Sequence, residues 1–308
     1  MDSKVKIFLQ SRQKGNFRES YGKNSNSINL RGEIYSLDSP RIMGILNITP
    51  DSFFDGGRYL NIDSILSQVE EMINEGTDFI DIGASSTRPS AKRISEEEEL
   101  RRLSEPVRQI RNTFPEMYIS IDTYRSSIAQ KMVSDFGVDI INDISAGLMD
   151  EAMFETIADL NVPYIIMHIQ GTPENMQLNP TYTDVVKEVL LFLSERLEKL
   201  NLLGVNDVIA DPGFGFGKTL DQNYEILDNL DVFSMLEIPL MVGLSRKSMV
   251  YNLIESTPDD ALNGTSILHA MALLNGADIL RVHDVKQAKE AITIVNKLKE
   301  ISKPGING

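Results

Sequence analysis

The 308-residue sequence contains no cysteine, which excludes disulfides and thiolate metal centres. This agrees with a reducing compartment, and a cytoplasmic location is the expectation, although many exported proteins also lack cysteine. Histidine is scarce, with three residues. Basic residues are in deficit: 30 Lys and Arg stand against 45 Asp and Glu, a formal net charge of −15. No run of them makes the basic stripe that a nucleic-acid binder presents. The acidic excess therefore reads as a solvated surface. Nowhere do about 18 apolar residues follow one another, the length a membrane helix needs. The first 35 residues are polar and carry no apolar core of the kind a secretory signal has. The sequence also lacks an H-E-x-x-H metal motif and a Ser-His-Asp ordering, and offers no candidate for a covalent nucleophile.

What is present is ordinary in bulk and periodic in detail. Apolar residues make up 42% and charged residues 24%, as in a soluble globular protein. A chain of this length buries most of its apolar surface without crosslinks. Eight short apolar runs recur from Arg41 onward, at 41–48, 79–83, 118–122, 139–145, 163–169, 207–213, 239–245 and 278–284. Runs this short and this rich in Ile, Val and Leu suit parallel strands buried on both faces. A helical pattern follows each. One begins near Asp63, with Ile65, Leu66, Val69, Met72 and Ile73 on one face. Another starts after Ser95, with Glu98 at the spacing of a capping box. The rest cover about 126–136, 150–160, 182–203, 221–236, 259–275 and 286–300.

Eight strand–helix pairs predict an α/β fold, a (β/α)8 TIM barrel. The alternative, a doubly wound sheet, commonly opens with a Gly-rich dinucleotide fingerprint, and here the first strand leads into Thr49-Pro50-Asp51-Ser52-Phe53 instead. Residues 28–40 are expected to form a hairpin closing the bottom of the barrel. Residues 1–27 are expected to be a flexible N-terminal arm, with one barrel domain over 28–303. Two connections, 49–62 and 84–94, are long for a barrel. Both follow strand C-termini, the active-site face, and they read as mobile loops over the site.

Nearly every predicted strand ends in polar residues: Asn47, Asp81, Asp122, Asn142 with Asp143, His168, Asp211, Ser245 through Lys247, and Arg281 with His283. On a closed barrel these converge on one mouth, a pocket of acceptors, amides and cations. Asp122, Asn142 and Asp211 come from three strands. Together they suit a fused polar heterocycle, since a carboxylate accepts two parallel N–H bonds and an amide both donates and accepts; singly, each is equally able to cap the next helix. Arg88, Lys218, Arg246, Lys247 and Arg281 form a basic group on an acidic protein and suggest an anionic substrate. His283 follows Arg281 at period 2, so the two point the same way, which favours phosphate over a metal. His269 lies mid-helix and reads as core. The segment DPGFGFGKT (211–219) ends like a P-loop, but Pro212 stands where the first glycine is required. Its glycines allow a close backbone approach, and Phe214 and Phe216 either face an aromatic substrate or pack the loop.

These residues lie in an ordered set of blocks that resembles the dihydropteroate synthases: MGILNITPDSFFDGGRY (43–59), DIGASSTRPSA (81–91), then SIDTYR, INDISAG, MHIQGTP, DPGFGFGKT, GLSRKS and RVHDV. The resemblance spans about residues 28–300. It implies an alkyl-transferring enzyme of folate biosynthesis that condenses 6-hydroxymethyl-7,8-dihydropterin pyrophosphate with p-aminobenzoate, releasing pyrophosphate and forming 7,8-dihydropteroate. It further implies Mg2+ as cofactor, small-molecule substrates, a homodimer, and sulfonamides as inhibitors. Residue by residue, Asp122, Asn142, Met167, Asp211, Gly243 and Lys247 match the pterin pocket. Asn47, Thr87, Arg88, Arg281 and His283 match the pyrophosphate site, with Asn47 as the Mg2+ ligand. Thr87, Pro89, Phe53, Phe216 and Ser248 match contacts to p-aminobenzoate. The catalytic set is Asp122, Asp211, Lys247, Arg281, His283 and Asp55. One departure is Ser90, where the family more often has Gly; it bears on loop motion and sulfonamide sensitivity. Two rival readings remain: a methyltetrahydrofolate methyltransferase-like barrel, which needs no pyrophosphate cluster, and a pterin-binding homologue without activity.

Overall fold

A computed structural model describes residues 27–48, 54–55, 59–84 and 94–302, with the backbone alone at 54–55, 59–60 and 302. The arm expected before the barrel lies outside these residues up to 26, and Ser27 already belongs to the first strand. β1 (Ser27–Leu30) and β2 (Glu33–Ser36) form an antiparallel hairpin. Its turn has positive φ at both Arg31 and Gly32, the twist that suits a two-residue hairpin loop. Ile28 and Leu30 of the hairpin, with Leu37 just after it, are buried against Met43, Phe79, Ile140 and Ile279. The hairpin thus plugs the barrel bottom, as the sequence suggests.

The barrel strands are β3 (Arg41–Asn47), β6 (Phe79–Gly83), β7 (Tyr118–Asp122), β8 (Ile140–Asp143), β9 (Tyr164–Met167), β10 (Val208–Asp211), β11 (Met241–Val242) and β12 (Ile279–Val282). β4 (Phe54–Asp55) and β5 (Tyr59–Leu60) make a small antiparallel hairpin inside the first long connection, so that connection is not without structure. The eight strands lie in the order β10-β9-β8-β7-β6-β3-β12-β11, every pair parallel. A single parallel bridge between Ala210 and Leu240 joins the two ends, with the Ala210 N–H donating to the Pro239 carbonyl at 2.9 Å. The expected barrel is therefore present, narrowly closed at β10 and β11.

Helices cover the outside. α1 (Ile62–Glu75) starts at Asn61, whose side chain accepts from the Ser64 N–H, buries Ile65, Val69 and Met72, and stops at Gly76 in the left-handed conformation. α2 (Glu96–Thr113) begins with four glutamates, which suit the positive helix end, and Ser95 caps the Glu98 N–H. The Glu98 carboxylate does not complete a capping box; it pairs with Arg101 and Arg102 at 2.7 Å. Then follow α3 (Ser126–Phe136), α4 (Met153–Leu160), α5 (Val185–Leu202), α6 (Leu220–Asp228), α7 (Ser248–Tyr251), α8 (Leu262–Leu274) and α9 (Val285–Ser302). The sequence predicts one helix over 221–236. The chain instead breaks at Asn229, whose side chain turns back on the Glu225 carbonyl, and continues as a 3-10 segment, Leu230–Leu236.

Candidate active site

Strand alternation sorts the polar strand ends into two sets. Ile42, Ile80, Ile141 and Leu280 face outward into the helical layer. Met43, Phe79, Ile140, Ile165, Ile209, Met241 and Ile279 face inward and form an apolar floor on the hairpin. Two residues further along each strand, the inward positions are Ile45, Asp81, Ser120, Asn142, Met167, Asp211, Gly243 and Arg281. Two further still come Asn47, Gly83, Asp122, Ser245 and His283. The interior thus changes from apolar to polar within one step of the pleat, and the polar layer opens upward at the C-terminal ends.

The ion pairs in this layer cross several strands. Arg281 on β12 donates from Nε to Asp81 Oδ2 on β6 at 2.7 Å and from Nη2 to Asp122 Oδ2 on β7 at 2.9 Å. Asn142 on β8 donates to the same Asp81 oxygen at 2.9 Å. Burial works against the Arg281 charge, but Asp81 and Asp122 outweigh it and hold its pKa above the ordinary value. Burial pushes the Asp122 carboxyl up to about 7; Arg281 opposes this, while Asp81, Glu99 and Asp143 add to it. Asp211 is likewise raised by burial, against Lys247 and the Gly213 N–H, which donates to it at 2.7 Å. Lys247 is half-buried, donates to the Phe214 carbonyl at 2.5 Å and stands 4.7 Å over the Phe216 ring. Burial draws its pKa down to about 8, with Asp211 opposing.

Lys218 is not a surface cation. It is buried, and its Nζ lies 3.0 Å from His168 Nδ1, 2.8 Å from the Gly213 carbonyl and 3.1 Å from that of Phe216. Burial lowers it to about 7 and, with the Lys218 charge, lowers His168 to about 2. His168 therefore serves as a neutral acceptor. The loop 211–219 closes around this amine. A Cβ on Gly213, at φ +72, would lie 2.0 Å from the His168 carbonyl oxygen, so only glycine fits.

Most of the predicted residues meet. Asp122 and Asn142 are joined through Arg281 and Asp81, Asp211 faces Lys247, and a Cβ on Gly243 would stand 3.6 Å from Lys247 Nζ and 4.0 Å from Arg281 Cβ. Phe216 packs beside Met167 and Met176. Ser248 opens α7 directly after Lys247. His283 sits at the rim, exposed, with Nδ1 3.1 Å from Ser245 Oγ. Asn47 is half-buried at the end of β3; a Cβ on Gly83 would lie 3.6 Å from both its Oδ1 and the Asp122 Cβ. Phe214 takes the packing alternative and is buried in the main core. Other expectations do not hold. Arg246 points out of the pocket and pairs with Asp284 through two bonds of 2.9 and 2.8 Å. Asp143 and His168 face away from the barrel axis, Asp143 accepting from the Tyr164 hydroxyl at 2.6 Å. His269 is core, as expected. Phe53, Thr87, Arg88, Pro89 and Ser90, and the side chain of Asp55, lie outside the described residues. Asp81, which no subsite claims from the sequence, is at the centre of the network; its parity with Phe79 was the available signal.

Comparison with known proteins identifies the family. The model of a family described as pterin binding enzyme matches residues 43–283. The dihydropteroate synthase of Haemophilus influenzae is 42% identical over 260 residues, covering 84% of this chain and 94% of the relative. That of Escherichia coli is 40% identical over 267 residues, covering 86% and 94%. Among solved structures, the Yersinia pestis dihydropteroate synthase with a sulfonamide drug superposes with TM-score 0.83 at 39% identity, covering 89% of this chain and 99% of that one. The Xanthomonas albilineans dihydropteroate synthase with 4-aminobenzoic acid gives 0.82 at 35%, covering 91% and 100%. The chain belongs to the pterin-binding enzymes and, within them, to the dihydropteroate synthase family.

Proposed function

We propose that this protein joins 6-hydroxymethyl-7,8-dihydropterin pyrophosphate to p-aminobenzoate, with release of pyrophosphate, and that the inward polar layer is where it does so. The observation that carries the reading is the placement of Asp122, Asn142, Asp211 and Lys247 in one polar layer at the C-terminal ends of the strands, above an apolar floor. Asp122 and Asp211 accept from the N–H donors of an aminopterin edge, Asn142 supplies an amide, and Lys247 meets a carbonyl oxygen. Met167 and Gly243 serve as walls for the ring. The chemistry is displacement at a methylene carbon, in which the C–O bond to pyrophosphate breaks and the amine nitrogen supplies the new bond and then loses its proton. Asp122, Asp211 and Asp55 favour positive charge on the pterin, and Arg281 and His283 favour the departing anion. Phe216, Ser248 and Lys247, with Phe53, Thr87 and Pro89, position p-aminobenzoate, and Arg88 and Thr87 add to the pyrophosphate site. Holding both substrates together removes most of the entropic barrier.

A magnesium ion fits the donor chemistry. Asn47 offers a hard amide oxygen at the mouth, and Mg2+ is commonly held by one or two protein oxygens with substrate phosphates and waters completing the shell. Asn47 would hold it, and it would supply neutralisation of the pyrophosphate charge.

Two further features belong to this reading. Ile267, Met271 and Leu274 on α8, and Ile294, Leu298 and Ile301 on α9, are large, apolar and exposed. Each triplet repeats at i, i+4, i+7 on neighbouring helices, and exposed apolar residues in that pattern support a second copy of the chain as their cover, a homodimer. No helix among the described residues is long and apolar enough to cross a membrane, and with no cysteine to oxidise, the protein suits the cytoplasm. The test of the site is Asp122→Asn. Titration with 6-hydroxymethylpterin should show binding and turnover falling together, and wild-type affinity in the variant would remove the pterin assignment.

A further inference from the structure

We propose that Asp81 is a positioning residue that keeps Arg281 and the Asn142 amide in place when a bound pterin draws Asp122 away from Arg281. This rests on the pterin assignment of Asp122 made above. Three observations carry it. Asp81 is fully buried, and one of its oxygens, Oδ2, takes both the Arg281 Nε–H at 2.7 Å and the Asn142 amide at 2.9 Å. Its other oxygen has no hydrogen-bond partner among the described residues, and neither does Ser120 Oγ on the paired position of the next strand. A carboxylate kept in that state is poorly explained as packing, because a buried acceptor left unpaired is costly and a neutral side chain would avoid the cost. Finally, Arg281 serves two carboxylates unequally. Each makes one bond to it, but Asp81 at 2.7 Å is inaccessible on the floor side, whereas Asp122 at 2.9 Å is 12% exposed toward the mouth.

Asp81 and Asp122 share Arg281, whereas Asp211 faces Lys247 and, more weakly, Arg281 and Lys218. One guanidinium cannot be the sole partner of both Asp81 and Asp122 once a ligand offers N–H donors. The Asp122 contact is the one that a ligand can reach, so Asp122 turns to the pterin. Arg281 then stays anchored through Nε and presents the freed Nη2 edge toward the mouth. The Asn142 amide is fixed in the same act. A carboxylate only accepts, so Nδ2 must face Asp81 and Oδ1 must face the other way. Asp81 thereby sets which edge of Asn142 the pterin meets, without touching the pterin.

The test compares Asp81→Asn with Asp122→Asn in steady-state kinetics, varying each substrate in turn. The expected result for Asp81→Asn is a fall of at least about tenfold in kcat/KM for the pterin pyrophosphate, with KM for p-aminobenzoate within about twofold of wild type. Equal losses for both substrates, or lower thermal stability with full activity, would overturn the proposal. If Asp122→Asn is impaired and Asp81→Asn is not, this inference alone fails. If Asp122→Asn binds 6-hydroxymethylpterin like wild type, the pterin reading fails and this inference with it. Should Asp81→Asn not fold, nitrogen-15 arginine labelling of the wild-type protein decides. The Arg281 Nε–H signal, assigned by its loss in Arg281→Lys, should remain protected from solvent exchange when 6-hydroxymethylpterin binds, and loss of protection on binding would overturn the proposal.

Discussion

Arg281 and Asp122 meet at 2.9 Å although they lie 159 residues apart and two strands, β3 and β6, separate theirs in the sheet. The sequence places them in different subsites, one for pyrophosphate and one for the pterin. In the folded protein they are partners. Any change at one is felt at the other, and mutational effects at the two should not add.

Asp122→Asn removes a charged acceptor and a partner of Arg281. Hydrogen bonds to charged groups contribute about 1.5–3 kcal/mol, so kcat/KM for the pterin pyrophosphate should fall by roughly 10- to 100-fold. Steady-state kinetics checks this. The double variant with Arg281→Ala should lose less than the sum of the two single losses.

Arg281→Ala leaves Asp81 as a buried carboxylate without its cation. Breaking such a pair costs about 3–5 kcal/mol, so the midpoint of urea unfolding should drop along with pyrophosphate affinity. Arg281→Lys should recover little, because a single ammonium does not reproduce a fork that serves two carboxylates.

The raised pKa of Asp122 has a consequence for stability. An unfolded aspartate titrates near about 3.9, and in the fold this one, facing Arg281, Asp81, Glu99 and Asp143, titrates at about 7. Between those values the folded state binds the proton and the unfolded state does not, so this group makes stability fall as pH rises from about 4 to about 7. Asp122→Asn abolishes that dependence. The ligand-free variant should therefore melt higher relative to wild type at pH 8 than at pH 5, by differential scanning calorimetry, while being less active. Equal differences at both pH values would contradict the assignment.

Gly213 and Gly32 both have positive φ, +72 and +86, but only Gly213 is hemmed in; nothing lies within 4 Å of a Cβ on Gly32. Gly32→Ala should cost about 1–2 kcal/mol, the conformational penalty alone. Gly213→Ala should cost more and should raise KM for p-aminobenzoate as the 211–219 loop is displaced from Lys218. Chemical denaturation of the two variants side by side tests this.

The strands were legible because parallel strands buried on both faces leave dense apolar runs; 79–83 and 118–122 match Phe79–Gly83 and Tyr118–Asp122 to the residue. The mouth was legible from the same pattern, whereas the hairpin at 28–40 has no dense apolar run to mark it. The sorting of the mouth was less so. Period-2 parity, counted from the apolar floor, assigns Asp81 to the inside and His168, Asp143 and Arg246 to the outside, but parity becomes useful only once the inward face is fixed. Lys218 shows the limit differently. Its acceptors come from a loop fold and from His168, 50 residues away, and no local spacing foretells them. The break at Asn229 was hidden because 221–236 keeps an apolar periodicity on both sides of it.

The most direct measurement is pyrophosphate release from purified protein given the pterin pyrophosphate, p-aminobenzoate and Mg2+, with each left out in turn. The expected result is release that requires all three and dihydropteroate formed in step with it. Pterin binding with no release would make this a pterin-binding protein without synthase activity, and no pterin binding at all would contradict the site built from Asp122, Asn142, Asp211 and Lys247.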